Sequence, residues 1–490
     1  MTPSTSRLLA TAAATVGLCA LVLSSIAAIP SASAASLDEG QWWRAAMGVD
    51  ELHRSGTGKG ITVAVIDGPI DSSVPELRGK VVSSTTECVA RDGSVHDSDK
   101  GSTDSSHATS MAALIAGSGR GTAPGGRGIA GIAPDARIRH YAIMFESSYR
   151  PGKSGCGLEY EDVDVGGKAT ARALQQAVKD GAKVISMSVS VDFDEALIPA
   201  LLDAYRAGAI VVASTNNEKR QVFWPGLGNG VVTVTHVDAK GNLDTSAVRK
   251  SSEVDFAAPG SKVTTGLWTP GGWRSDIIMD GSSQATAITA GGLAAMWSAH
   301  PTATGNQVLQ AAKDSIGMRE KDGKYLTWFR RIGTNLPKAT GKTESYGFGI
   351  FDPADAVKLD VSSLPDVNPM VDTEGDGDPT AEQIATATGK AVTESASPAP
   401  STSGSSVDAS PNPAGEAADD TDEAGGSESS LLPWLAVGAV VVLALVAGLF
   451  FLRRRHGVTR PQRPHHTSEP TTAADHSAVT TKEASHGHAP

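Results

Sequence analysis

Ile61-Thr62-Val63-Ala64-Val65-Ile66, followed by Asp67-Gly68-Pro69, is the stretch that decides the fold. It is an apolar, mostly β-branched run bounded by glycines, which predicts a strand buried on both faces, as in a parallel sheet. Asp67 then falls at the C-terminal end of that strand, where open α/β sheets gather their ligands. Outward from it, strand and helix patterns alternate. Ser110–Ala116 reads as a helix and Arg137–Met144 as a strand. Lys168–Lys179 is a helix closed by Gly181, before a strand over Lys183–Val189. Glu195–Arg206 is a helix closed by Gly208, before a strand over Ile210–Ser214. Val231–Val237 is a further strand. The alternation predicts an α/β fold, a parallel sheet with helices on both faces joined by right-handed crossovers. Leu37–Leu52, with Trp42, Trp43 and Met47, reads as an amphipathic helix laid on the core, and the domain is expected to span 37–358.

The flanks have a different character. In the first 36 residues Arg7 is the only charge; an apolar run and Ala32-Ser33-Ala34 follow it, which predicts an export signal over 1–34. Leu431–Leu452 carries no charge over 22 residues and is followed by Arg453-Arg454-Arg455. That predicts one transmembrane helix at 431–452, with 453–490 cytoplasmic and everything before it outside. The chain of 490 residues has a formal charge of −12, yet residues 364–430 hold fourteen acids against Lys390 alone, so the rest is close to neutral. No nucleic-acid partner is expected from such a balance. The acidic segment is rich in Ser, Thr, Pro and Gly and reads as a disordered linker. Within it Asp372–Asp378 faintly echoes a calcium loop but has Gln383 at the twelfth position, so no metal site is expected there. Cys19 falls in the export signal; Cys88 and Cys156 remain, and an even pair in an exported chain predicts one disulfide.

Asp280-Gly281-Ser282-Ser283-Gln284-Ala285 runs into small and apolar residues with no charge until past Trp297. This is a buried helix whose first turn presents Ser283 where free N–H groups favour an oxyanion. A nucleophilic serine needs a base and an orienting acid. Upstream lie His53, His96, His107, His140 and His236. His107 opens the helix that reaches Ala116 and can face Asp67, which gives the chain order Asp67, His107, Ser283, one of the orders in which such a triad is built. Asn217, just after the strand ending at Ser214, is the residue type that donates to an oxyanion.

These blocks together resemble the subtilases, the subtilisin-like serine proteases, over roughly Gly60 to Val357. Val63–Asp67 resembles the segment bearing the family's aspartate. His107-Ala108-Thr109 is similar to His-Gly-Thr, and Gly131-Ile132-Ala133-Pro134 to the element behind it. Val211–Glu218 resembles the block that carries the oxyanion asparagine, and Phe256–Gly260 is also family-like. Gly281–Ala285 is similar to Gly-Thr-Ser-x-Ala, and Tyr346–Pro353 to the closing motif. The resemblance implies a serine endopeptidase acting on protein or peptide substrates, with Asp67, His107 and Ser283 as the triad, Asn217 in the oxyanion hole and Ser188, Val189 and Ser190 supporting the bound peptide backbone. It implies no cofactor. A signal peptide, a subtilase domain, a Pro- and acid-rich linker and one span are similar in arrangement to the mycosins, which implies a place beside type VII secretion channel components at the cell membrane. The chain departs from the family pattern at Gly68, Ala108, Ala113, Ser190, Asn216 and Ala287.

Overall fold

The computed structural model describes residues 37–87, 95, 97–144, 166–217, 222–244, 250–316, 318–321, 324–327, 341–375 and 377–390. The expected signal peptide, transmembrane helix and cytoplasmic tail, and both Cys88 and Cys156, lie outside the described residues. Among the described residues, no helix is long and apolar enough to cross a membrane.

The chain opens with α1 (Leu37–Gly40), α2 (Trp42–Ala46) and α3 (Val49–Leu52). The sequence predicts one helix here. The structure breaks it into three short ones, at Gln41, whose ψ of 18° leaves the helical range, and at Gly48, which turns left-handed at φ 59° before α3. The apolar face survives the break, with Trp43, Met47 and Leu52 fully buried.

The centre is an eight-stranded sheet. Its strands are β1 (Thr62–Asp67), β2 (Val81–Thr86), β5 (Arg137–Ala142), β6 (Val184–Met187), β7 (Ile210–Ser214), β8 (Val232–Val237), β9 (Phe256–Pro259) and β14 (Gly349–Ile350). They lie in the order β14-β9-β8-β7-β6-β1-β5-β2, and every paired neighbour is parallel. Between β2 and β5 come α4 (Ser106–Ala116), β3 (Ser118–Ala123) and β4 (Arg127–Ala130). Then α5 (Gly167–Lys179) leads to β6 and α6 (Leu197–Arg206) to β7. A hairpin, β10 (Val263–Thr269) and β11 (Gly272–Met279), precedes the long α7 (Ser282–Ala299) and α8 (Gly305–Asp314). A small hairpin, β12 (Met318–Lys321) and β13 (Lys324–Thr327), follows, then α9 (Pro353–Ala356) and α10 (Ala381–Thr388) after β14.

Both faces of the central strands are covered, which is why β1 and β7 read as nearly unbroken apolar runs. Val63 and Val65 of β1 point into a large core shared with α4, α7 and α8. Ala64 and Ile66 point the other way, into a second core with α5 and α6. Helix α7 runs through the first core with every residue from Ser282 to Trp297 buried. A helix apolar on all sides has no other place to go.

The ordered chain continues beyond Leu364, where the sequence predicts a disordered linker to begin. Composition underestimates this segment because its polar groups find partners in the domain. Asp366 accepts from Thr304 and Asn306, Asn368 donates to the Gly230 carbonyl, and Asn229 exchanges hydrogen bonds with Asp372. Met370 and Ile384 are buried beneath it. The Asp372 carboxylate that suggested a calcium loop accepts instead from the amides of Glu374 and Gly375.

Candidate active site

Strand β1 has β5 and β2 on one side and β6 to β14 on the other, so the direction of strand addition reverses beside it. Crevices at such a reversal, at the C-terminal ends of the strands, are where α/β sheets hold ligands. Asp67 ends β1, and Ser188 directly follows β6, its sheet neighbour.

His107 is the second residue of α4. Three contacts fix the start of that helix. Ser102 and Ser105 cap the turn before it, Thr109 Oγ1 accepts from the Asp71 amide, and Ser106 Oγ accepts from the amide of Trp268 on β10. One turn on, Ser110 exchanges two hydrogen bonds with Gly266 of the same hairpin. Held there, His107 Nδ1 lies 2.8 and 3.0 Å from the two carboxylate oxygens of Asp67. A carboxylate can only accept, so Nδ1 carries a proton, and in the neutral ring Nε2 is then the acceptor. Asp67 is 2 % exposed, whereas the His107 side chain is 35 % exposed, so the acid is sheltered and the base reaches solvent.

Ser283 sits in the first turn of α7, 8 % exposed. It is locked to Ser188 reciprocally: Ser188 Oγ donates to the Ser283 carbonyl at 3.0 Å, and Ser283 Oγ donates to the Ser188 carbonyl at 3.2 Å. A hydroxyl has one proton, so here it is aimed at Ser188 and would have to turn to be given to His107. Val189 is nearly buried and Ser190 is exposed.

Asn217 Oδ1 accepts from the Ser282 amide at 2.8 Å and from Ser282 Oγ at 2.9 Å. A backbone N–H can only donate, so the atom facing it is the oxygen, and the amide Nδ2 is the group left to donate elsewhere. Gly281 leaves this approach open, since a Cβ there would stand 3.1 Å from Asn217 Nδ2 and 2.6 Å from Gln284 Oε1 and push those side-chain ends aside. Ser282 is the functional neighbour the sequence did not single out. Its signal was present, as a second hydroxyl beside Ser283.

The substituted motif positions fall into two groups. Ala108, Ala113 and Ala287 have no exposed surface and belong to the large core, so their methyl groups are taken up in packing. Asn216 keeps the left-handed φ of 90° that a glycine would adopt, and asparagine tolerates that region better than most residues. Its side-chain oxygen accepts from the Asn217 amide. At Gly68 a Cβ would meet only ordinary contacts, 3.6 Å from the Asp104 and Met144 carbonyls.

The other upstream histidines are occupied differently. His53 Nε2 bonds the Ile132 carbonyl and His140 is fully buried. His236 is buried 4.0 Å from Asp244, and loss of solvent pushes its pKa down. His96 lies outside the described residues.

Comparison with known proteins places the fold in a family. Subtilisin E of Bacillus subtilis (strain 168) is 31 % identical over 289 residues, which is 56 % of this chain and 66 % of that relative. The chain therefore spans just under two thirds of that relative's length. Thermitase of Thermoactinomyces vulgaris is 28 % identical over 236 residues, 48 % of this chain and 74 % of its own. Among solved structures, fervidolysin from Fervidobacterium pennivorans, a keratinolytic enzyme, aligns with a TM-score of 0.52 at 20 % identity, over 66 % of this chain and 46 % of that one. The MycP3 protease of the type VII (ESX-3) secretion system aligns with a TM-score of 0.50 at 23 % identity, over 68 % and 90 %. Both likenesses are of fold. The model of the subtilase family matches residues 58–349, more than half of the chain, and the chain belongs to that family.

Proposed function

We propose that this subtilase is a membrane-anchored, extracytoplasmic serine endopeptidase associated with type VII secretion. Ser283 attacks the peptide carbonyl, His107 takes its proton and returns it to the leaving amine, and Asp67 holds the His107 ring. Asn217 Nδ2 and the Ser283 amide receive the oxyanion. Ser188, Val189 and Ser190 border the peptide backbone. The export signal at 1–34, the linker ending at 430, the span at 431–452 and the cytoplasmic tail at 453–490 would hold the domain at the outer face of the membrane. Cys88 and Cys156 would be joined there as a disulfide.

The observation that carries the reading is the carboxylate–imidazole pair at 2.8 Å, on the same sheet edge as a serine opening a buried helix. The mycosin-like arrangement of segments supports the secretory setting. Reaction with a fluorophosphonate requires an activated serine and no knowledge of the substrate. Wild type should be labelled, and Ser283→Ala, Asp67→Asn and His107→Ala should lose labelling or slow it by at least about 10³-fold without losing their fold. Equal labelling of wild type and Ser283→Ala would end the assignment.

A second reading, a subunit that keeps the fold without turnover, is favoured by one contact, the Ser283 hydroxyl aimed at Ser188. A wild-type chain that folds, reaches the membrane and never takes the label would establish it.

A further inference from the structure

His140 lies on β5, the strand beside β1, with no surface exposed to solvent. Its register partners are Val65 on β1 and Ser84 on β2. Both ring nitrogens are engaged: Nε2 is 2.7 Å from the Gly68 carbonyl and Nδ1 is 2.8 Å from Ser84 Oγ. A carbonyl only accepts, which places the proton on Nε2. Nδ1 of the neutral ring then accepts from the Ser84 hydroxyl, itself 2.9 Å from Ser98 Oγ. Loss of solvent pushes the His140 pKa down, against the opposing pull of the Gly68 carbonyl and the Asp67 and Asp99 carboxylates.

A buried imidazole with both nitrogens paired is by itself an ordinary core histidine. What distinguishes this one is the group it holds. Gly68 follows Asp67, and its N–H donates to Asp67 Oδ1 at 2.7 Å, the oxygen that also accepts from His107 at 2.8 Å. Gly68 has no side chain to restrict its backbone, so contacts from outside must fix that peptide. The residue is clamped at both ends, its N–H on the carboxylate and its C=O on His140.

We propose that His140 is a positioning residue, whose Nε2–H holds the Gly68 carbonyl and thereby the turn that aims the Asp67 carboxylate at His107. The proposal rests on the reading of Asp67, His107 and Ser283 as a triad. Glutamine at position 140 can present an N–H near the place of Nε2–H; phenylalanine fills the space and donates nothing.

The test is the second-order rate constant of fluorophosphonate labelling as a function of pH, measured on the full chain. His140→Phe should label at least about tenfold more slowly than wild type, because small misplacements of a catalytic group cost that much or more. The acid limb of its profile should move to lower pH, since a misaimed carboxylate stabilises the His107 imidazolium less. His140→Gln should recover the rate to within about threefold and restore the limb. If His140→Phe shows no cooperative thermal melt, Ser84→Ala carries the test. The change lies on the partly exposed edge strand β2, removes the donor to His140 Nδ1, and should slow labelling by about threefold, with the limb moving the same way. A wild-type rate and limb in His140→Phe, or in Ser84→Ala where that variant is needed, overturns the proposal. So does an equal slowing of His140→Phe and His140→Gln that merely tracks their loss of melting temperature. A wild-type chain that takes no label overturns the triad reading itself, and the role of His140 with it.

Discussion

Asn217 and Ser282 show how much a single amide can settle. The Ser282 N–H and hydroxyl both end on Asn217 Oδ1, which leaves the nitrogen of that side chain as the donor. Asn217→Asp keeps an oxygen for Ser282 and replaces the donor with an acceptor. It should therefore melt near the wild-type temperature, while kcat for a peptide falls by about 10²–10³-fold with little change in KM, because the lost bond exists only in the transition state. A kcat within a factor of three of wild type would remove Asn217 from the oxyanion site. The neighbouring Asn216 carries the opposite lesson. It stands where the family pattern has glycine, yet it holds φ at 90° and turns its side chain onto the Asn217 amide. The residue type changed while the backbone conformation it serves did not.

At the scale of elements, the site is the meeting of two helix starts with one sheet edge. Helix α7 can lie close to α4 because Gly291 faces it. A Cβ at that position would stand 2.3 Å from Ile132 Cγ2 and 3.2 Å from Ile115 Cα. Gly291→Ala gains about 1 kcal/mol of helix propensity. Overpacking costs about 1–3 kcal/mol, and with a backbone atom at one contact the cost should prevail. Urea denaturation should show a lower midpoint for Gly291→Ala and a further drop for Gly291→Val; a raised midpoint for Gly291→Ala would show that the two helices can part cheaply.

The same elements show what the sequence makes legible. Buried strands such as β1 and β7 announce themselves as apolar runs, and helices closed by Gly181 and Gly208 announce their ends, so the parallel sheet can be read directly. The residues Asp67, His107 and Ser283 can be read because each opens or closes such an element. The hairpin β10–β11 cannot, since its strands mix threonine, arginine and glycine without a steady alternation. Yet Gly266 and Trp268 of that hairpin fix the helix carrying His107. The three short helices at the start were likewise hidden by an apolar face that persists across Gly48.

For the whole molecule, the fold extends past the point where composition turns acidic. Burial of Met370 and Ile384 should contribute roughly 2–4 kcal/mol after allowance for a compact unfolded chain. A chain ending at Leu364 should therefore unfold at lower urea concentration than one ending at Lys390. Coincident unfolding curves would mean that residues 365–390 lie on the domain without supporting it.

That segment also determines how the domain would respond to a pull. If the apolar stretch at 431–452 is fixed in a membrane, the intervening residues 391–430 form a leash no longer than about 140 Å when taut. Tension along it would enter at Lys390, whose ammonium pairs with Asp366, and Asp366 is bonded in turn to Thr304 and Asn306 at the start of α8. Along the backbone Lys390 is preceded by α10, which packs on α6, so that packing would carry the load, and the partly exposed Lys390–Asp366 pair would add little to it. A pull from that side would peel α10 from α6 before it reached the strand ends at β1.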